Sequence, residues 1–251
     1  QPAEIDLSEY KGYSLIEVVS RNKFPKVKED GYYFFTLAAY AFHWFALEKA
    51  EEEIQSAATL PYLAVDELAD LQQPKNIEKL ETEILPSYLP KTKWFNGLYK
   101  TLYSLKINNH EIISFSENPV YWILLDAVYQ SGLPETYQLP LRFVTEKKGE
   151  KIRQVNPDAL VAVMECGKKK GFLCDAFFTV SLQQDLINHM VGQQEVPLRL
   201  GKMAFYGNEL LKVYKKESEE VRTRIHTSDE LNTSITYNNR FFLRMYRTLD
   251  I

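Results

Sequence analysis

The chain is poor in cysteine, with two in 251 residues, Cys166 and Cys174. With no further Cys and no nearby His, these two cannot complete a tetrahedral metal set. They stand in "ECGKKKGFLCD", symmetric about a Lys-Gly turn. That placement suits either two half-buried reduced thiols of a cytosolic protein or a cross-strand disulfide. Histidine is scarce too: His43, His110, His189 and His226 lie far apart in unrelated contexts and read as surface or strand residues, not as general bases. No apolar run approaches the roughly 18 residues of a transmembrane helix. The opening "QPAEIDLSEY" has neither the basic nor the apolar region of a signal peptide. Positive charge is not in excess. A net charge of -4 and a pI near 5.7 argue against a nucleic-acid footprint. There is no sustained heptad, internal repeat or low-complexity tract.

What is present is ordinary soluble composition, 45% hydrophobic and 25% charged, in a length sufficient for one large domain or two small ones. Aromatics reach 13%, which suits sheet faces and sugar-handling surfaces alike.

Residues 1–47 read as three strands, "AEIDLS", "YSLIEVV" and "YYFFTLAAYAFHWFAL", with the Pro- and Gly-bearing "RNKFPKVKEDG" between the last two. Residues 48–82 become charged and helical, with Glu51, Glu52 and Glu53 on a solvated face and a break at Pro74, so they read as a linker plus a short helix. From 83 to 190 the pattern is α+β. A helix with a proline stop, "ETEILPSYLPKTKWF", is followed by "TLYSLKI", "HEIISF", "VYWILLDAVYQSG" and "YQLPLRFV". A polar Lys/Gly stretch, "ALVAVMEC", "GFLCDAFF" and the helix "LQQDLINHM" complete it. Short Asn-Asn, Gly-Lys and Lys-Lys turns indicate a mainly antiparallel sheet. From 195 onward strands resume: "VPLRLGKMAFY", "LLKVYKKE", "EVRTRIHTS", "NTSITYNN" and "RFFLRMYRTLD". The fold class is α+β.

Several stretches converge on one family. "LPSYLPKTKWF" (Leu85 to Phe95) resembles the opening of a maltokinase, and "YQLPL" (Tyr137 to Leu141) and "GFLCDA" (Gly171 to Ala176) resemble its next two landmarks. "DELNTSITYNNRFFLRMYR" is similar to that family's phosphate-loop hairpin. Residues 4–48 are similar to the last strands of a trehalose synthase (maltose α-glucosyltransferase), which in many bacteria is fused to a maltokinase in this order. The resemblance implies a middle piece of a bifunctional protein: strands of an amylase-type β-domain over 1–48, a linker and helix over 49–82, a maltokinase N-terminal cap over 83–194, and the start of a kinase-like N-lobe over 195–251.

The resemblance also implies chemistry. A sugar kinase needs a phosphate cradle, a cation, Mg²⁺ ligands and a base. Asn232, Thr233 and Ser234 match the cradle, and Arg244 stands where the family carries a strand lysine. Arg keeps the charge in a larger, forked shape. Glu230 and Leu231 replace the usual Gln and Ser, and Glu230 opposes phosphate. An ordinary polar loop, and an Arg244 paired with a carboxylate, are the competing readings. ATP and Mg²⁺ are the expected cofactors of the parent kinase, maltose and trehalose its substrates, and the remaining synthase and kinase domains its partners. No nucleic acid, membrane or resident metal is expected, and the location is cytoplasmic. The resemblance places the catalytic base, the Mg²⁺ ligands and the glycosidase carboxylates in parts of the parent outside this chain, which therefore carries no catalytic residue. Trp94, Phe95, Tyr121 and Trp122 could stack on sugars or fill a core. Lys91 and Lys93 could reach phosphate or lie on the surface. The other reading is a structural module or a degenerate cap.

Overall fold

A computed structural model describes residues 2–18, 23–37, 42–49, 60–115, 118–130, 132–199, 201–217, 221–226 and 231–249. The chain forms two compact units, Gln1–Thr59 and Leu60–Ile251.

In the first unit β1 (Pro2–Asp6) pairs antiparallel with β4 (Tyr32–Thr36), while β2 (Tyr13–Glu17) lies between β3 (Lys23–Lys26) and β5 (Phe45–Lys49). Along β4, Tyr33 and Phe35 are buried and Tyr32 and Phe34 exposed, the period-two alternation of a strand with one wet face. The inward rings meet Leu15 and Val27, and Phe35 stacks on Phe45 at 4.9 Å. The long third strand expected from Tyr32 onward is thus two strands, and the expected spacer contributes a strand of its own. Pro25 is tolerated because β3 is a sheet edge, where no ladder donor is needed.

The second unit is built on one sheet. Its strands are β6 (Tyr62–Val65), β7 (Leu102–Ile113), β8 (Val120–Tyr129), β9 (Glu135–Thr145), β10 (Leu160–Cys166) and β11 (Lys169–Asp175). They lie in the order β6-β10-β11-β9-β8-β7. Only β6 runs parallel to its neighbour among these pairs. Residues 62–65, expected within a linker, are therefore a sheet strand. The central strand β8, "VYWILLDAVY", is nearly continuous in apolar residues because both of its faces are covered. Tyr121, Ile123 and Leu125 face a helical segment supplying Leu80, Ile84, Leu85, Tyr88 and Leu89. Val120 and Trp122 face Phe177, Leu182 and Leu186.

That helical segment joins α1 (Pro74–Lys79) to α2 (Leu85–Tyr88) through a π turn at Leu80–Ile84. Pro86 was expected to stop the helix. Instead the Leu85 N–H bonds to the Leu80 carbonyl five residues back, and this wider turn makes room for the proline ring. The expected Asn-Asn turn near residue 108 is a bulge inside β7, between Ile107 and Asn109. The polar Lys/Gly stretch is helix α3 (Glu146–Val155), where Gly149 is needed because a Cβ would lie 2.1 Å from the Phe172 ring.

The expected helix is α4 (Val180–Gly192). A short hairpin, β12 (Glu195–Leu198) with β13 (Gly201–Ala204), follows it. "LLKVYKKE", expected as a strand, is α5 (Glu209–Glu217): its buried residues Leu211 and Tyr214 are three apart, the helical spacing. A three-stranded sheet of β14 (Thr223–His226), β15 (Asn232–Tyr237) and β16 (Phe241–Tyr246) packs Ile235 and Tyr237 against α4 and α5. Asn238 and Asn239, at φ 48° and 56°, make the expected tight turn, a conformation Asn tolerates. Finally β17 (Thr248–Leu249) returns to pair with β9. The class is α+β.

Candidate functional site

Strand β14 ends and strand β15 begins at a cleft of about 260 Å³. His226 closes β14, and Asn232 and Thr233 open β15. Lys93 and Trp94 come from the turn after the first helical segment, and Asp158 from the turn after α3. The sequence separation is large, yet "TKW" (Thr92 to Trp94) and Asn232 with Thr233 line one cleft. The His226 ring nitrogen Nε2 is tied across the sheet to Thr236 Oγ1 at 3.1 Å.

Behind the cleft lies a buried ion pair. Arg247 and Asp175 are both fully buried, with Nη2 donating to Oδ2 at 2.5 Å. Arg247 Nε donates to Thr233 Oγ1 at 2.7 Å, and its guanidinium lies 4.5 Å from the Trp94 ring and 4.6 Å from the Phe177 ring. Asp175 also accepts from the Phe177 N–H at 3.1 Å and the Tyr88 hydroxyl at 3.4 Å. Burial pushes the Asp175 carboxyl up, against the pull of Arg247, and burial with the Asp175 charge pushes the Tyr88 phenol well up. The pair ties the hairpin to the large sheet: Arg247 holds Thr233 on one side and Asp175, at the end of β11, on the other.

Strand parity sorts the sequence candidates. Asn232, Ser234 and Arg244 share one face of the three-stranded sheet, with Ser234 directly between His226 and Arg244 in register, while Thr233 points to the other face. Asn232 and Thr233 line the cleft; Ser234 is buried and Arg244 is exposed, its guanidinium 5.8 Å from the Phe242 ring. Lys93 reaches the cleft and Lys91 is not among its walls. Glu230 and the Glu51–Glu53 run lie outside the described residues. Trp94, Phe95, Tyr121 and Trp122 are all less than a tenth exposed and pack as core. Both cysteines are free. Cys174 stands opposite Leu160 and Cys166 opposite Lys169, so the hairpin does not juxtapose them.

Sequence reasoning missed Asp175 and Arg247. The signals were present. Asp175 is the single charge in the apolar run "GFLCDAFFTV". Arg247 continues the inward parity of Phe241, Leu243 and Met245, whereas Arg244 falls on the outward one.

Residues 88–178 match the family described as Maltokinase N-terminal cap domain, and residues 1–44 match that described as Maltogenic Amylase, C-terminal domain. In this order on one chain the two matches support a segment of a trehalose synthase–maltokinase fusion. No curated protein matches the chain. No helix among the described residues is long and apolar enough to cross a membrane.

Proposed function

We propose that the chain is the connecting segment of a bifunctional cytoplasmic protein. The parent interconverts maltose and trehalose and phosphorylates maltose with ATP to maltose 1-phosphate for α-glucan synthesis. The order of the two family matches carries this reading. Residues 1–48 then end the synthase β-domain, 83–194 form the kinase cap and 195–251 begin the nucleotide lobe. Both catalytic centres belong to other parts of the parent. Within this segment Asn232, Thr233, Ser234 and Arg244 would hold ATP phosphates.

The cleft supports a share of that role. Asn232 and Thr233 stand beside the Lys93 ammonium, a donor set suited to phosphate oxygens. At about 260 Å³ the cleft is smaller than the roughly 300–1,000 Å³ of whole-ligand sites. It fits a phosphate tail, not an entire nucleotide. Mg²⁺ would arrive with the phosphates and offset part of their charge. The buried Arg247–Asp175 pair favours a second reading for the segment by itself, a rigid structural module.

Calorimetry with Mg-ATP, together with a maltose phosphorylation assay on the purified chain, tests both. Weak ATP binding that is lost in Asn232→Ala, without turnover, is the expected result. Measurable maltose 1-phosphate would sink the claim that the catalytic centres lie elsewhere. No ATP binding at all would leave the structural module standing.

A further inference from the structure

A second, larger cavity of the same unit lies elsewhere. It encloses about 710 Å³ and shares only Phe178 with the cleft under the hairpin. Lys148 and Lys151 reach it from α3, and Lys168 and Lys169 from the turn joining β10 to β11. Two carboxylates, Asp66 and Glu67, stand among the same walls. Lys151, Lys168 and Lys169 against Asp66 and Glu67 leave an excess of one positive charge. A phosphomonoester carries about -1.5 to -2 at neutral pH. Arg142, also at the wall, is already committed, donating to Ser181 Oγ at 2.5 Å and lying 3.5 Å from Asp185. Among the described residues Lys151, Lys168 and Lys169 form no ion pair.

Three further features narrow the ligand. Helix α4 starts at this cavity, with Thr179, Val180 and Ser181 in its wall. Thr179 makes no capping bond there, because its hydroxyl donates to the Ala176 carbonyl. An uncapped helix start adds to the pull on an anion. Phe143 and Phe178 offer apolar surface for the face of a sugar ring, and the Gln184 amide offers both donor and acceptor to hydroxyls. The volume lies within the ordinary range of small-molecule sites, about 300–1,000 Å³.

We propose that this cavity binds a small sugar phosphomonoester, its phosphate held by the lysines and its sugar laid against Phe178. The site stands whether or not the hairpin holds ATP. Calorimetry at low ionic strength with maltose 1-phosphate and α-D-glucose 1-phosphate tests it, with inorganic phosphate and maltose as controls. At least one sugar phosphate is expected to bind with a Kd below about 1 mM, and maltose not to bind. Inorganic phosphate is expected at least about tenfold weaker, because it makes no sugar contacts. Lys151→Gln, Lys168→Gln and Lys169→Gln combined should weaken the sugar phosphate by at least about tenfold, the loss of one or more charge-assisted bonds. Lys212→Gln, on α5, should leave it unchanged. Hydrogen exchange on the wild type should show ligand protection in the first turn of α4. Equal binding by the triple lysine variant, loss of binding in Lys212→Gln, equal binding of maltose or inorganic phosphate, or no protection at α4 would each overturn the proposal.

Discussion

Replacing Arg247 with Met should be among the costliest single changes in the second unit. Arg247 and Asp175 are both fully buried, and the Asp175 carboxylate would keep only the Phe177 N–H at 3.1 Å and the Tyr88 hydroxyl at 3.4 Å. Breaking a buried pair by removing one partner costs about 3–5 kcal/mol, because the other charge stays in a low-dielectric site. Met keeps most of the volume between Trp94 and Phe177, so a cavity adds little. Against a total domain stability of about 5–15 kcal/mol this is a large fraction. Asp175→Asn should cost about as much, since a buried guanidinium is then left facing an amide. The double variant removes both charges, so its cost should fall well short of the sum, leaving a coupling of about 2–3 kcal/mol. Urea unfolding of the four proteins, followed by fluorescence and circular dichroism together, measures it. Single losses under about 1 kcal/mol, or losses that add within about 0.5 kcal/mol, would show that the pair does not hold the hairpin to the sheet.

Glu135 predicts a pH dependence. Burial raises its pKa, but hydrogen bonds from Lys100, Tyr137 and Tyr129 outweigh burial and bring it to about 2, from an ordinary 4.5. A lowered carboxyl pKa stabilises the fold above the ordinary value, and that stability is lost as pH falls from 4.5 towards 2. Wild type should lose no more than about 3 kcal/mol through this group over that window, and Glu135→Gln should flatten the curve there; parallel curves would refute it. Gly171→Ala should destabilise by about 3 kcal/mol or more, because a Cβ would sit 2.0 Å from the Val144 carbonyl oxygen; a normal melting temperature would be inconsistent with that register. Burial raises the pKa of both thiols, and Cys174 is buried whereas Cys166 is partly exposed. A thiol reagent at pH 8 should therefore modify one cysteine slowly, and both only after unfolding.

Where a pattern had one physical cause, the sequence was legible. The Asn238-Asn239 turn could be read directly, and so could the helix over Leu182–Met190, which extends in the structure to Val180–Gly192. Other elements were decided by contacts that no local window contains. "LLKVYKKE" fits a strand or a helix until α4 offers a partner for Leu211 and Tyr214. "TLYSLKI" and "HEIISF" look like two strands until β8, apolar along most of its length, holds both as one. Pro86 looks like a stop until a π turn absorbs it. Among the candidate site residues, Asn232 and Thr233 were brought to a cleft with Lys93, and parity along β16 separated Arg244, outside, from Arg247, inside. The buried carboxylate that Arg247 meets lies 72 residues away, a distance no motif spacing encodes.

The return of β17 to β9 has a consequence for how the chain is made. Thr248 pairs with Tyr137 and Leu249 with Thr136, completing the β9 edge beyond the stretch that β11 covers, Leu141 to Thr145. During synthesis Tyr137 therefore waits for a partner 111 positions downstream, counting from 137 to 248. At about 5–20 residues per second that interval is roughly 6–22 s. Over that time an open strand edge, flanked by the apolar face of β8, is available to a neighbouring nascent chain on the same message. Slow, non-local closure of this kind is where a holdase would act, and where a change in translation speed between codons 137 and 248 would alter yield without altering the protein.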